Sequence, residues 1–144
     1  MRLSRFTDIG LRALMYMAAQ DRRVSSREVA EAYDISKDHV TKSLQTLANL
    51  GVVESTPGRN GGFTLSAHPG DIRLGRLVHD LEPSLAMAEC FTSGSTCPLT
   101  PSCDLADALA RAQNAFFDSL NNVTLADLLV GTSRQLVQLT PPGR

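Results

Sequence analysis

The stretch from Val24 to Ser66, VSSREVAEAYDISKDHVTKSLQTLANLGVVESTPGRNGGFTLS, constrains the fold more than any other part of the chain. Ser25, followed three residues later by Glu28, makes a capping box, and Val24 and Val29 flank it as a hydrophobic staple. A helix therefore starts there and runs to about Tyr33. After a short turn Ser36 serves as the next N-cap, with Ile35 and Val40 as its staple. Val40, Leu44, Leu47 and Ala48 then recur at helical spacing, and Gly51 is a natural stop. Two short helices across a tight turn form a helix-turn-helix. The β-prone runs VVEST and FTLS follow on either side of PGRNGG, a pattern that reads as a hairpin. A hairpin directly after a helix-turn-helix is the wing of a winged helix. The expected fold class is mainly α with a small β-wing, a winged helix-turn-helix plus a long C-terminal helix.

The flanking segments complete this plan. Phe6, Ile9, Ala13, Leu14, Met17 and Ala18 make one apolar stripe of a first helix over about 4–20, on which Asp8 and Arg12 are spaced for a surface ion pair. A small helix is expected from Leu74 to Glu82, with Leu74, Leu77, Val78 and Leu81 facing inward and Pro83 breaking the chain. The Ser/Thr/Gly/Pro-rich segment 88–103 reads as loop. DLADALARAQNAFFDSL then reads as one helix to about Asn121, with Leu105, Leu109, Ala112, Phe116 and Leu120 forming a seam wide enough for another helix. A short last helix is expected at Thr124, where Asp127 and the Val123/Leu128 pair supply its start signals. The resulting organisation is a DNA-binding domain over 1–82, a cysteine loop over 83–103, a long and a short helix over 104–130, and a loose tail over 131–144.

Charge is distributed in keeping with a DNA-binding first half. Residues 1–66 hold nine Lys/Arg and seven Asp/Glu, or +2, whereas residues 67–144 hold five and eight, or −3. In a helix-turn-helix the N-terminal side of the second helix enters the major groove, and here that side presents Lys37, Asp38, His39, Thr41 and Lys42. Lysines can neutralise phosphates or donate to guanine. Asp38 can accept from cytosine, and Thr41 can meet a base edge or a thymine methyl. Arg59 at the wing tip is placed for the minor groove or a phosphate. The opening MRLSRFTD lacks the apolar core of a secretory signal, and no run approaches the roughly 18 apolar residues that span a bilayer. A cytoplasmic location follows, in which thiols stay reduced. No Gly-rich phosphate loop, nucleophile elbow or acid/base pair appears, and His39, His68 and His79 are scattered, so the chain does not read as an enzyme.

The three cysteines, Cys90, Cys97 and Cys103, fall within fourteen residues. An odd trio of thiols cannot be consumed by internal disulfides, and its compactness points to metal. The spacing Cys-x6-Cys-x5-Cys is wider than zinc knuckles and matches neither common ferredoxin pattern. Thiolates on a wide, flexible loop suit an iron–sulfur cluster, with zinc as the alternative. A fourth ligand is missing. Glu89, Asp104, Asp107 or water are the local candidates, and no histidine follows Cys90.

Taken in order, RFTDIGLRALMYMA, the helix-turn-helix, RNGG in the wing, LVHDLEP, the cysteine loop with CPLTPSC, and NNVTLADLL resemble the Rrf-type winged-helix repressors that carry iron–sulfur clusters, and among them the nitric-oxide-sensing members. The resemblance covers about residues 1–130. It implies a homodimer joined through the helix at 104–121, here a dimerisation helix. It also implies a 4Fe-4S cluster on Cys90, Cys97 and Cys103, with Asp8 of the partner subunit as fourth ligand. Related regulators of cluster assembly bind 2Fe-2S through a histidine three residues beyond the last cysteine, and Ala106 stands at that place. The implied function is repression: the cluster-bearing dimer holds a two-fold-symmetric double-stranded operator, and nitric oxide attack on the cluster releases it. Genes for nitric oxide detoxification would be among those controlled. Related wings often read RGxxGG, whereas Pro57 occupies the arginine place here and leaves Arg59 to take over its contact. Two other readings stand beside this one. The first is a cluster- or zinc-bearing regulator that senses iron or redox state; the second is a small electron-transfer or thiol-redox protein, which leaves the wing without purpose.

Overall fold

The computed structural model describes residues 2–131; most of the tail expected over 131–144 lies outside them. Helix α1 spans Arg5–Gln20, α2 Ser26–Tyr33, α3 Lys37–Asn49, α4 Leu74–Leu81 and α5 Asp104–Asn121, and a two-stranded antiparallel sheet pairs β1, Val53–Thr56, with β2, Gly62–Leu65. The architecture is mainly helical with a small β-wing, as the sequence predicts.

Each helix begins where local chemistry directs it. The Ser4 hydroxyl accepts the Thr7 amide to cap α1, and the Ser25 hydroxyl accepts the Glu28 amide at 3.1 Å to cap α2. Ser36 occupies the N-cap of α3 without a side-chain hydrogen bond. Helices α1 and α2 end on Asp21 and Asp34, both in the left-handed region, where a short polar side chain is tolerated. The second half of the α2 capping box departs from expectation. The Glu28 carboxylate turns away from the helix start, accepts the Tyr16 hydroxyl at 3.0 Å and pairs with Arg22.

Helix α1 is the centre of the core. Ile9, Ala13, Leu14, Tyr16 and Met17 are buried among Val29, Val40, Leu44 and Leu47 of α2 and α3, Leu81 of α4, Phe63 of β2 and Leu125. Full burial of each such large side chain contributes about 1.5–3 kcal/mol. Gly10 lies inside α1, where a Cβ would stand only 3.1 Å from Leu81 Cδ1, so its hydrogen permits the close contact of α1 with α4. The wing is tied down by its neighbour: Val24 and Phe63 exchange both backbone hydrogen bonds, at 3.0 and 2.8 Å. This forces Gly62 so close to the Val24 carbonyl that an added Cβ would fall 2.5 Å from its oxygen.

Helix α5 packs on α4 and returns the chain to the core. The Leu74 amide donates to the Val123 carbonyl and the Leu125 amide to that of Ile72, which seats Leu125 fully inside. The helix expected at Thr124 is instead a single 3-10 turn, Asp127–Leu129. Its start signal is nonetheless used, for Asp127 accepts the Thr124 amide and hydroxyl at 2.8 and 2.7 Å. The antiparallel bridge between Arg73 and Thr124 fixes the backbone there in place of a helical start.

The Tyr16–Glu28–Arg22 network gives stability a defined pH dependence. Burial opposes ionisation of Glu28, but the bonds from Arg22 and Tyr16 outweigh it and hold the carboxyl below its ordinary 4.5. A carboxyl lowered on folding stabilises the native state above its unfolded pKa and loses that contribution as pH falls through its folded one. Glu28→Gln should therefore cost about 1–3 kcal/mol at neutral pH. In urea unfolding the gap between wild type and variant should narrow steadily below pH 4.5.

Candidate DNA-binding surface and cysteine loop

Helix α3 divides by its period. Val40, Ser43, Leu44 and Leu47 are buried against α1 and α2, and the Ser43 hydroxyl donates to the Phe6 carbonyl of α1. The opposite side is left to solvent: Lys37, Asp38, His39 and Lys42 are exposed, and Thr41 is half-buried. All five side chains that the sequence assigns to groove contact thus lie at the open N-terminal portion of the second helix. Arg59 is exposed at the wing tip, and it lines one cleft together with Lys37 and Arg27. Arg27 was not singled out in the sequence. It sits in the first turn of α2, where a cation gains nothing from the helix dipole, and that was the available signal.

The cysteines lie on the segment joining α4 to α5. Cys90 is in the 3-10 turn Glu89–Phe91, Cys97 is in open coil, and Cys103 is the N-cap of α5. All three are free and half-buried. The loop is held by its own Ser and Thr side chains. Glu89 accepts the Thr96 amide and hydroxyl at 3.1 and 3.0 Å, and these bonds lower its pKa. The Thr100 hydroxyl donates to the Cys97 carbonyl at 2.9 Å. A segment satisfied locally can change shape without opening the core.

Among the described residues no three His, Cys, Asp or Glu side chains converge on a point that could hold a metal ion. Chemically the donors fit an iron–sulfur cluster or zinc, being three soft thiols outside the core and outside any disulfide. The conformation described does not gather them. Of the local candidates for a fourth ligand, Glu89 is engaged by Thr96, while Asp104 and Asp107 stand exposed at the start of α5. Asp8 lies in the first turn of α1, half exposed and paired with Arg12 at 2.9 Å.

One link between the two regions was not legible in the sequence. Glu82, the C-cap of α4 just before Pro83, accepts the Ser4 amide with both carboxylate oxygens, at 3.0 and 3.1 Å. The entrance to the cysteine segment is thereby joined to the start of the helix that carries Asp8. A contact between residues 78 apart leaves no local pattern to read.

A helix-turn-helix with an anchored wing, followed by a cysteine loop and a long helix, defines a winged-helix transcriptional regulator. The chain belongs to the Rrf2 family, described as iron-dependent transcriptional regulators, which it matches over residues 3–131. Among solved structures it is similar to the IscR of T. potens, with 26% identity over 90% of this chain and 86% of that one and a TM-score of 0.67. It is also similar to CymR (YrzC), the global cysteine regulator of B. subtilis, at 23% identity over 89% of this chain and 95% of that one, TM-score 0.68. The oxidized form of Staphylococcus aureus CymR matches at 23% identity over 92% and 98%, TM-score 0.70. The two CymR likenesses show the fold. No helix among the described residues is long and apolar enough to cross a membrane.

Lys42 is exposed and makes no salt bridge among the described residues. Lys42→Ala should weaken binding to all duplex sequences alike and reduce the slope of log K against log salt by about one. Titrations at several salt concentrations measure both.

Proposed function

We propose that this chain is a homodimeric repressor of the NsrR type. It would grip operator DNA through α3 and the wing, and sense nitric oxide through a 4Fe-4S cluster on Cys90, Cys97 and Cys103, with Asp8 of the partner subunit as fourth ligand. The observation that carries this reading is the set of three free, half-buried thiols on the one segment between α4 and α5. Dimerisation is supported by α5. None of its eighteen residues is fully buried in the single chain, Leu105 is 66% exposed, and Leu109, Phe116 and Leu120 are only half covered. A second copy would close that stripe.

A bound cluster would supply iron that nitric oxide can ligate, with the carboxylate as a harder and more exchangeable ligand than the thiolates. Asp8 has two alternative partners, Arg12 on its own helix and the cluster site of the partner subunit. The exposed pair with Arg12 is worth about 0.2–1 kcal/mol, so Asp8 can leave it or return to it at little cost. Whichever partner Asp8 takes, α1 carries the difference to α3 through their shared core. That provides the differential contact that a switch requires.

A second reading keeps the architecture and changes the signal to iron supply or redox state. The family's description as iron-dependent favours it. Anaerobic protein reconstituted with iron and sulfide separates the two when visible absorbance and duplex binding are followed together as nitric oxide is added. On the nitric-oxide reading both fall together. Unchanged absorbance and affinity, with a response to iron chelation or oxidant instead, would favour the second. Cys97→Ala should lose the stable cluster absorbance, and full retention would sink the ligand assignment. Asp8→Ala should keep the dimer while loosening the dependence of DNA affinity on the cluster.

A further inference from the structure

Arg27 of α2, Lys37 at the start of α3 and Arg59 of the wing tip line a single cleft. They come from three different elements. All are exposed, none has a salt-bridge partner among the described residues, and no carboxylate lines the cleft. Elsewhere on this surface Arg12, Arg22 and Arg76 are answered by Asp8, Glu28 and Asp80. Three like charges brought to one concavity without a counter-charge repel one another, and an anion seated among them relieves that repulsion. Apart from Phe63, the rest of the lining is small, with Ser26, Gly58 and Gly61 leaving room for a tetrahedral group to approach.

We infer that this cleft is a clamp for one DNA-backbone phosphate, held jointly by Arg27, Lys37 and Arg59. The inference rests on the DNA-binding reading above and refines it. Arg59 then serves the backbone rather than the minor-groove floor, and the arginine missing at Pro57 is replaced by a shared phosphate contact. Arg27 becomes a DNA-contacting residue. Because the three cations belong to α2, α3 and the wing, the phosphate they share fixes the wing against the recognition helix. Contacts of this kind set register and carry no base preference.

The test is the salt dependence of binding to mixed-sequence duplex DNA by wild type, Arg27→Ala, Arg59→Ala and the double variant, with Arg76→Ala on α4, whose side chain is exposed, as control. Arg27 and Arg59 make no side-chain hydrogen bond among the described residues, so the variants keep the fold, which far-ultraviolet circular dichroism verifies. Each single substitution should weaken binding several-fold on every sequence. The double variant should lose no more than about 0.9 of the salt slope, the value for one phosphate, whereas two separate phosphates would give about twice that. Arg76→Ala should leave the slope unchanged. A doubled loss, an unchanged affinity in Arg27→Ala, or an altered A·T preference in Arg59→Ala at constant slope would overturn the clamp while leaving DNA binding intact. Saturable binding of inorganic phosphate that needs Arg27, with no Arg27 effect on DNA, would assign the cleft to a free anion and also overturn it. Absence of any salt-dependent duplex binding by wild type would overturn the DNA reading and the clamp together.

Discussion

The burial of α1 is the constraint on which the rest of the structure depends. Its apolar side is covered by α3, the wing, α4 and the segment around Leu125, so each of these is positioned by the first helix of the chain. Tyr16 shows how tightly the arrangement is drawn. It is fully buried, its ring meets Tyr33 edge-on at 6.1 Å, and burial together with Glu28 pushes its hydroxyl up to about 12. At the other end of the helix, Ser4 is held by Glu82. A rod fixed at both ends moves as a unit, and it joins the cysteine segment to the recognition helix.

Against this rigid centre two parts are left incomplete. The cysteine loop takes most of its side-chain hydrogen bonds from its own residues, with Gln113 of α5 donating to the Leu85 carbonyl, and α5 offers an apolar stripe that the single chain does not fully bury. Both suit a protein whose working form includes a cofactor and a second copy. The ion pair of Asp8 with Arg12 belongs to the same pattern, because its half-exposed partners hold each other weakly enough to part.

Much of the winged helix was legible because its signals are local. Ser25 and Val24 act within a few residues, the α3 stripe follows the helical period, and the wing turn is written in glycines. The capping partner Glu28 was misread in part, since a buried Tyr16 and a nearby arginine compete for it with the helix start. The final helix at Thr124 shrank to a turn because tertiary pairing of Arg73 with Thr124 fixes the backbone there. Of the site, the exposed groove residues could be read from position on α3. For Arg27 only its place in the first turn of α2 hinted at a role, and Glu82 at the α4–α1 junction left no local pattern, for each acquires its role from a neighbour distant in sequence.

On the proposed function, the state of the cysteine loop is the input and DNA affinity the output, with α1 between them. The most direct test is the dissociation constant for operator-containing duplex, measured anaerobically at fixed salt on the same preparation with and without reconstituted cluster. A switch of ordinary coupling, about 1–3 kcal/mol, predicts that the cluster-bearing dimer binds about 5–150-fold more tightly. Equal affinity in the two states would contradict it.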